Sequence, residues 1–346
     1  MTSQILVRGI PIGGGAPVTV QSMTNTDTRD VLATVGQIRA LTEAGCEIVR
    51  LSVYDHKCVQ ALPAILQETR IPVVADIHFD YRLAIGAMEN GVDKLRMNPG
   101  NIGGKERVAA VAACAKAHRV PIRIGVNGGS LEKELLHKYG RPSPDAMVES
   151  ALSHVKLLEE SGFYEIVLSL KASNVRDTVE AYQKMSKLVS YPLHIGITEA
   201  GFGEDGVIKS AVGLGTLLLL GIGDTLRVSL TGDPVQEVAA AKQILKAAGL
   251  RKEGAEIISC PTCGRCQVDL ASIASDVKDR LKELKKPITI ALMGCAVNGP
   301  GEAREADIGI AFGSGNGVLF KKGEKFASGE VSKMLSLLLE EANSMA

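Results

Sequence analysis

The chain has 346 residues, which is long enough for one large domain and one small domain. Hydrophobic residues make up 45% of it and aromatic residues only 3%, with 37 glycines and no tryptophan, a composition that favours an α/β protein over a β-sandwich. The formal net charge is zero, so no overall field favours nucleic acid or a membrane surface as a partner.

The sequence carries no recognisable targeting or membrane segment. Residues 1–10 lack the apolar core of a signal peptide. The most apolar stretch, Leu217–Ile222, is far too short to cross a bilayer. Cys46, Cys58 and Cys114 have no close cysteine partner and indicate buried or free thiols of a reducing compartment. We therefore expect a cytoplasmic protein.

From Val18 to about Gly249, short β-branched runs alternate with longer stretches rich in alanine and leucine. This alternation predicts parallel strands with helical crossovers, and eight strands at this spacing predict a (β/α)8 TIM-like barrel. A doubly wound open sheet is the alternative, but no G-x-G-x-x-G follows the first strand. An extra helix is expected at Leu131–Tyr139, and Gly13–Gly15 is expected to form an ordinary turn. The predicted strands are Thr19–Ser22, Ile48–Ser52, Val73–Ile77, Lys94–Met97, Ile122–Gly125, Glu165–Leu170, His194–Ile197 and Thr225–Ser229.

After Gly249 the pattern changes to that of a small α+β domain, reached through a charged linker at Leu250–Glu256. We therefore expect two domains, a barrel over residues 1–249 and a smaller domain over residues 250–346. The predicted elements of the second are a strand at Glu256–Ser259, a helix at Leu270–Leu284, strands at Ile288–Met293 and Ile308–Phe312, a hairpin of Val318–Phe320 with Lys325–Phe326, and a helix at Ser332–Ala342.

Polar residues recur at the carboxyl ends of the predicted barrel strands, where catalytic residues of this fold lie. Five of them are cations, and guanidinium groups bind phosphate oxygens bidentately, so the pattern predicts a site for an anion such as a diphosphate. Ordinary ion pairs with nearby acids are the alternative. Glu199 is a candidate general acid or base, although it could instead orient Arg227. Asp76 and His78 could form a second metal site, but a polar role at the rim is preferred. The residues at these positions are Arg50, Asp76, His78, Arg96, Asn98, Arg123, Asn127, Lys171, Ser173, Glu199, Arg227 and Ser229.

Four cysteines lie in two loops rich in glycine and proline. Cys260, Cys263 and Cys266 follow a C-x2-C-x2-C pattern, and Cys295 is distant in sequence. Thiolates at this spacing can converge on one inorganic centre, as they do in ferredoxin-type sites. A structural zinc ion usually takes a second C-x2-C or a histidine pair, and no histidine neighbours Cys295. The pattern favours an iron–sulfur cluster, with zinc as the alternative.

Three strings resemble the 4-hydroxy-3-methylbut-2-enyl diphosphate synthase family of isoprenoid biosynthesis, in its short two-domain bacterial form. They are Val20–Thr26, Ser259–Arg265 and Gly294–Glu302, and the resemblance covers nearly the whole chain. It implies an oxidoreductase that opens and dehydrates 2-C-methyl-D-erythritol 2,4-cyclodiphosphate. It also implies a [4Fe–4S] cluster, with flavodoxin or ferredoxin as the external donor of two electrons.

The resemblance also implies roles for individual residues. Cys260, Cys263 and Cys295 would hold the cluster, Glu302 would be its weak fourth ligand, and Cys266 would lie outside the set. Glu199 is similar to the family's barrel acid, so that Glu199 and Glu302 would be the catalytic carboxylates. The implied substrate-binding residues are Arg50, Arg96, Arg123, Asn127, Lys171, Arg227 and Ser229.

The linker also bears on assembly. The last barrel helix returns the chain to the face opposite the arginines, and about seven linker residues reach at most roughly 25 Å. We therefore expect a homodimer in which the cluster domain of each chain caps its partner's barrel.

The sequence is also compatible with two competing functions. One is an electron-transfer or cluster-carrier protein whose four cysteines saturate the iron. The other is a barrel aldolase or pterin-type transferase with a structural zinc ion.

Overall fold

A computed structural model describes residues 1–345. The chain divides into two compact units, Met1–Arg251 and Lys252–Ala346, two residues after the boundary expected from the sequence. Within the described residues, no helix has both the length and the apolar character needed to cross a bilayer.

The first unit is a (β/α)8 barrel, which confirms the predicted fold class. Its parallel sheet has the order β8-β7-β6-β5-β4-β3-β10-β9, and a parallel bridge between Leu168 and Leu193 joins the two ends. The last two strands are shorter than predicted, and β7 is two residues longer. The strands are β3 (Thr19–Met23), β4 (Ile48–Ser52), β5 (Val73–Asp76), β6 (Lys94–Met97), β7 (Ile122–Asn127), β8 (Ile166–Lys171), β9 (His194–Ile195) and β10 (Thr225–Leu226).

Helices follow the strands and cover the outside of the barrel. Several begin at an aspartate whose carboxylate accepts a backbone N–H of the first turn, as Asp30, Asp55 and Asp80 do. The predicted extra helix after β7 is present. The helices are α1 (Val31–Glu43), α2 (His56–Glu68), α3 (Tyr81–Glu89), α4 (Pro99–Ile102), α5 (Lys105–His118), α6 (Lys133–Tyr139), α7 (Pro144–Glu160), α8 (Val175–Leu188), α9 (Gly203–Leu219) and α10 (Pro234–Ala247).

A short antiparallel hairpin closes the amino-terminal end of the barrel and was not predicted. Its strands, β1 (Ile5–Val7) and β2 (Ile10–Ile12), pack apolar side chains against the first inward-facing residues of the barrel strands, such as Val74 and Val167. The glycine run after β2 is more constrained than an ordinary turn. Gly13 has a φ of +81°, and a Cβ there would lie 2.2 Å from the Ser3 carbonyl oxygen.

The second unit is a five-stranded sheet with three helices, in the order β11-β12-β13-β14-β15, whose first three strands are parallel. One short helix, α12, lies where a loop was expected, because Pro300 fits the first turn of a helix despite the glycines around it. The elements are β11 (Ala255–Ser259), α11 (Leu270–Arg280), β12 (Ile288–Met293), α12 (Gly299–Arg304), β13 (Ile308–Phe312), β14 (Asn316–Lys321), β15 (Glu324–Glu330) and α13 (Val331–Met345).

Candidate functional site

The carboxyl ends of the barrel strands surround a cavity of about 200 Å³. All eight barrel residues that the resemblance assigned to substrate binding or catalysis line it. Two other rim candidates do not: Asn98 is buried and caps α4, and Ser173 lies at a neighbouring cavity. The lining residues are Arg50, Asp76, His78, Arg96, Arg123, Asn127, Ser169, Lys171, Thr198, Glu199, Arg227 and Ser229.

Asp76 is the buried carboxylate at the centre of the charge arrangement. Its carboxylate lies 3.1 Å from Nη1 of Arg96, 3.7 Å from Nε of Arg50 and 3.5 Å from Nε2 of His78. Burial by itself would raise the pKa of Asp76, but the charge of Arg50 and the hydrogen bond from His78 outweigh it and lower that pKa. Asp76 therefore stays ionised and fixes two of the cavity's guanidinium groups. The alternative of ordinary ion pairs holds for these arginines.

Arg227 is held by Glu237 of α10, not by Glu199. Its Nε donates to Glu237 at 3.0 Å and its Nη2 donates at 2.9 Å, so the pair is bidentate. Met23 lies beside both, since Nη2 of Arg50 and Nη1 of Arg227 contact its sulfur at 2.8 and 3.4 Å. Sequence reasoning missed Glu237 because it lies within a helix, away from the strand ends.

Arg123 and Lys171 face the cavity without an acidic partner among the described residues. Arg123 is 1% exposed, and its Nε and Nη1 have no hydrogen-bond partner. Burial and the neighbouring arginines lower the pKa of Arg123 and that of Lys171 well below their ordinary values. Such groups are costly to bury unless an anion neutralises them. They point to an anionic ligand more directly than the paired arginines do.

Two glycines make room for these cations. A Cβ on Gly125 of β7 would lie 2.6 Å from Nε of Arg96. A Cβ on Gly196, just after β9, would lie 2.5 Å from Nζ of Lys171. Glycine inside or next to a barrel strand was a visible signal of close approach that the sequence reasoning did not use.

Glu199 has a strained backbone at the edge of the cavity. Its φ is +53°, a left-handed conformation that is uncommon for a residue other than glycine. Its side chain is exposed, and its carbonyl oxygen accepts a hydrogen bond from Nζ of Lys209 at 3.1 Å. Glu199 lies in the loop after β9 and lines the cavity together with Thr198.

A second pair, of the buried His154 and the half-buried Glu132, supports the loops next to the cavity. Nε2 of His154 lies 2.8 Å from Glu132, whose carboxylate also accepts from the Ser150 hydroxyl at 3.1 Å. Gly100 lies against them, since a Cβ there would be 2.6 Å from Nε2 of His154. The cluster joins the loop after β6 to the loop after β7, which begins at Gly128. Nothing in the sequence pattern distinguished these residues.

The two cysteine loops of the second unit lie at the ends of β11 and β12 and are tied together by backbone hydrogen bonds. The N–H of Gln267 donates to the Gly294 carbonyl at 2.8 Å. The N–H of Gly294 in turn donates to Sγ of Cys260 at 3.2 Å. Cys263 is exposed, Cys260 is half-buried and Cys295 is buried.

Backbone amides stabilise the thiolate form of two cysteines. The N–H of Arg265 and then its side chain lower the pKa of Cys263. The N–H groups of Val297, Asn298 and Gly299, which lead into α12, lower the pKa of Cys295. Thiolates are the form that binds a metal.

Cys266 behaves differently from the other three cysteines. Its thiol donates to the carbonyl of Val268 at 3.2 Å, and its side chain packs against the apolar cluster under α11. A Cβ on Gly294 would lie 2.4 Å from its sulfur. Glu302 is exposed in the first turn of α12. In residues 1–345, no three His, Cys, Asp or Glu side chains converge on a single metal ion. Cluster ligands bind different iron atoms, so this arrangement does not oppose a cluster.

Comparison with protein families matches both units of the chain. Residues 2–242 match the GcpE TIM-barrel domain, and residues 256–344 match the GcpE protein C-terminal domain. Together the two matches cover most of the sequence.

Curated relatives match this chain over nearly their whole length. A protein of Caldanaerobacter subterraneus subsp. tengcongensis is 57% identical over 345 residues, which are 100% of this chain and 97% of the relative. One from Clostridium perfringens is 60% identical over 323 residues, covering 93% of each chain. Both are described as 4-hydroxy-3-methylbut-2-en-1-yl diphosphate synthase (flavodoxin).

Solved structures resemble the fold alone. A dihydropteroate synthase of Yersinia pestis has a TM-score of 0.52 at 12% identity and covers 72% of this chain and all of that chain. A sialic acid synthetase of Leptospira borgpetersenii has a TM-score of 0.51 at 13% identity, covering 81% of this chain and 97% of that chain.

Proposed function

This chain is a member of the GcpE family, and on that premise we propose that it converts 2-C-methyl-D-erythritol 2,4-cyclodiphosphate into 4-hydroxy-3-methylbut-2-enyl diphosphate. In the overall balance the substrate gains two electrons and two protons, a ring C–O bond to phosphate breaks, and one water leaves. The observation that carries the proposal is the cavity with Arg123 and Lys171 unpaired, next to arginines already fixed by Asp76.

In this proposal the barrel binds the diphosphate through side-chain cations on rigid strands. Negative charge grows on the phosphate oxygen as the ring bond breaks, and the guanidinium groups are already in place to stabilise it. Asn127 and Ser229 add neutral donors at the same cavity, which can orient the rest of the ligand. The proposed substrate-binding residues are Arg50, Arg96, Arg123, Asn127, Lys171, Arg227 and Ser229.

Glu199 is proposed to give a proton to the hydroxyl that leaves as water. This is supported by the place of Glu199 in the cavity lining, beside Thr198. Glu199→Gln should bind the cyclic diphosphate normally but turn it over at least about 100-fold more slowly. The control is Glu204→Gln, because Glu204 is exposed in the first turn of α9 and lies outside the cavity. Full turnover by Glu199→Gln would remove this role.

Cys260, Cys263 and Cys295 are proposed to hold a [4Fe–4S] cluster, with Glu302 as an exchangeable fourth ligand. The donor set fits: backbone N–H groups lower the pKa of Cys263 and Cys295, and the Gly294 N–H donates to Cys260. When bound, such a cluster supplies single electrons and an iron that can act as a Lewis acid. As the exchangeable ligand, Glu302 would be the catalytic carboxylate of this unit.

The electron donor is proposed to be flavodoxin, which the relatives' description names, with ferredoxin as the other protein to test. A cytoplasmic location stays a prediction from the sequence. The competing carrier function needs Cys266 as a fourth ligand, and its thiol is engaged with Val268.

The decisive test is anaerobic turnover. Reconstituted protein, reduced flavodoxin and the cyclic diphosphate should give the linear diphosphate, followed by phosphorus NMR and mass spectrometry. Brown protein that exchanges electrons without consuming the cyclic diphosphate would instead identify a carrier. Colourless protein containing zinc would contradict the iron–sulfur assignment.

A homodimer with reciprocal capping is also proposed, on the strength of the short linker. Mixed dimers of Arg123→Met and Cys295→Ser chains test it, because each chain alone lacks one half of the site. Capping between chains predicts recovery to about a quarter of wild-type turnover in a random mixture. No recovery, with mixed dimers present by mass spectrometry, would contradict it.

A further inference from the structure

A layer of buried polar side chains lies in the barrel between the apolar hairpin and the cavity. Lys94, the first residue of β6, is 0% exposed, and its Nζ has no hydrogen-bond partner. Gln21 has neither amide atom paired, and Nε2 of His194 and Oγ1 of Thr19 are also unpaired. Burying so many polar atoms without partners is costly. The layer must therefore gain partners, such as ordered water, or change its charge state.

The charges around Lys94 are strongly unbalanced. Val74, beside Lys94 on β5, is apolar, and Asp76 is the acid farther along that strand. Asp76 is shared by Arg50 and Arg96, while Glu237 holds Arg227. Nothing acidic in residues 1–345 pairs with the remaining inward-facing basic side chains. Those side chains are Lys94, Arg123 and Lys171.

Burial and the charges of Arg123 and Arg50 lower the pKa of Lys94 well below its ordinary value. His194 is subject to the same field, and burial followed by Arg123 and Lys171 lowers its pKa as well. With no ligand bound, burial and the neighbouring positive charges therefore oppose the charged form of both side chains. Lys94 does not line the cavity, so it does not touch a ligand there.

We propose that Lys94 couples diphosphate binding to proton uptake. A doubly charged anion seated among Arg50, Arg96 and Arg123 would offset the repulsion from Arg123 and Arg50, which adds to burial in opposing a positive charge on the Lys94 amine. The amine then takes a proton from solvent, and the new ammonium stabilises the bound anion from below. Gln21 Oε1, Thr19 Oγ1 and the unprotonated ring nitrogen of His194 are acceptors in the same layer, directly or through water.

Lys94 is thus a positioning residue for the ligand. By linkage, an anion that raises the pKa of Lys94 binds more tightly as pH falls. Between the two pKa values of Lys94, the Kd should rise up to about tenfold per pH unit. This inference rests on the proposed diphosphate site.

Titration calorimetry with the cyclic diphosphate, without any reductant, tests the coupling. Each phosphate of this ligand carries one permanent charge, so the ligand itself exchanges no proton near neutral pH. Measured in PIPES, HEPES and Tris at pH 7.5, the wild-type binding enthalpy should vary with the ionisation enthalpy of the buffer and give an uptake of at least one proton. Binding with no uptake would overturn the inference, whereas no binding would contradict the proposed function itself.

Two variants assign the proton. Lys94→Met should take up about one proton fewer than wild type and bind about tenfold more weakly. Lys94→Arg keeps a permanent charge, so it should also take up about one proton fewer, and its Kd should depend less on pH than that of wild type. Lys105→Met, at an exposed surface ion pair with Glu160, should match wild type. If both folded Lys94 variants keep the full uptake, or if Lys171→Met alone abolishes it, the assignment to Lys94 is wrong.

Discussion

The two candidate sites stabilise negative charge by opposite means. In the barrel, charged side chains on strands do so, and several of them, such as Arg123, are buried. In the cysteine loops, backbone N–H groups do so, as at Cys295, where three amides before and in α12 lower the thiol pKa. The barrel site therefore depends on which side chains the strands carry, and the cysteine site depends on the conformation of the backbone.

This difference decides how each site responds to its ligand. Buried cations repel each other until an anion arrives, so the empty barrel is less stable than its packing would allow. Backbone amides are part of the fold and carry no such cost, so the thiolates can form before any metal binds. A substitution of a buried barrel cation should therefore change the stability of the ligand-free protein and the affinity for the anion in opposite directions. A substitution in the cysteine loops should change stability and cluster binding together.

The largest effect is expected for Cys295→Ser. The amides around Cys295 would then face a hydroxyl that does not ionise, so the cluster should be lost together with activity. Iron and sulfide content after anaerobic reconstitution, with the visible spectrum, measures this. Cys266→Ser is the matched control and should keep its iron, because the Cys266 thiol donates to Val268. Equal loss in both variants would mean that four cysteines hold the cluster.

Next in size is Arg123→Met. Truncating a buried charge that faces its partner costs about 2–5 kcal/mol of binding, so the Kd for the cyclic diphosphate should rise about 30-fold or more. The ligand-free protein should instead gain about 1–3 kcal/mol of unfolding free energy, because an unpaired cation leaves the interior. Calorimetry and urea unfolding measure the two quantities. Arg39→Met, at an exposed pair with Glu68, should change neither.

A smaller effect is expected for Gly125→Ala. The added methyl would meet Nε of Arg96 at 2.6 Å, so the guanidinium must move away from Asp76. We expect about a tenfold rise in Kd, with little change in the iron content of the other unit. Gly36→Ala in α1 meets open space and is the control. Unchanged affinity in Gly125→Ala would mean that Arg96 is free to shift.

Sequence reasoning predicted the barrel well because its signals are local. The strands Ile48–Ser52 and Lys94–Met97 were placed to the residue, since β-branched runs and helix caps define them. The cationic rim followed from the rule that strand ends meet at one edge of the barrel. The hairpin β1–β2 was missed because two three-residue strands give almost no periodic signal.

What the sequence could not indicate were partners brought together by tertiary packing. Glu237 reaches Arg227 from a helix, and a helical pattern does not distinguish it from a solvated acid. Lys94 looked like an ordinary strand residue, and only the layer around it makes it unusual. The arrangement of the N–H groups around Cys295 depends on α12. The sequence pattern did not predict this helix because its first residues include glycines.

The smallest expected effect is on the free energy of unfolding and concerns Glu132. Like the charged residues of the cavity, Glu132 acts through its charge, here by pairing with His154 to support the barrel loops. The hydrogen bond from His154 lowers the pKa of Glu132 from 4.5 to about 2. A carboxyl with a depressed folded pKa contributes stability above its unfolded pKa and loses it as pH falls from about 4.5 towards 2. Because Glu132 keeps about a third of its side chain exposed, the contribution should be only about 1 kcal/mol.

Urea unfolding at pH 6 and at pH 3 measures this contribution of Glu132. Wild type should lose more unfolding free energy over that interval than Glu132→Gln, which cannot titrate. Glu68→Gln, at the exposed pair with Arg39, is the matched control and should follow wild type. If wild type and Glu132→Gln lose the same unfolding free energy, the charge of the pair does not stabilise the loops. Their stability would then depend on the packing around Gly100, where a Cβ would meet His154.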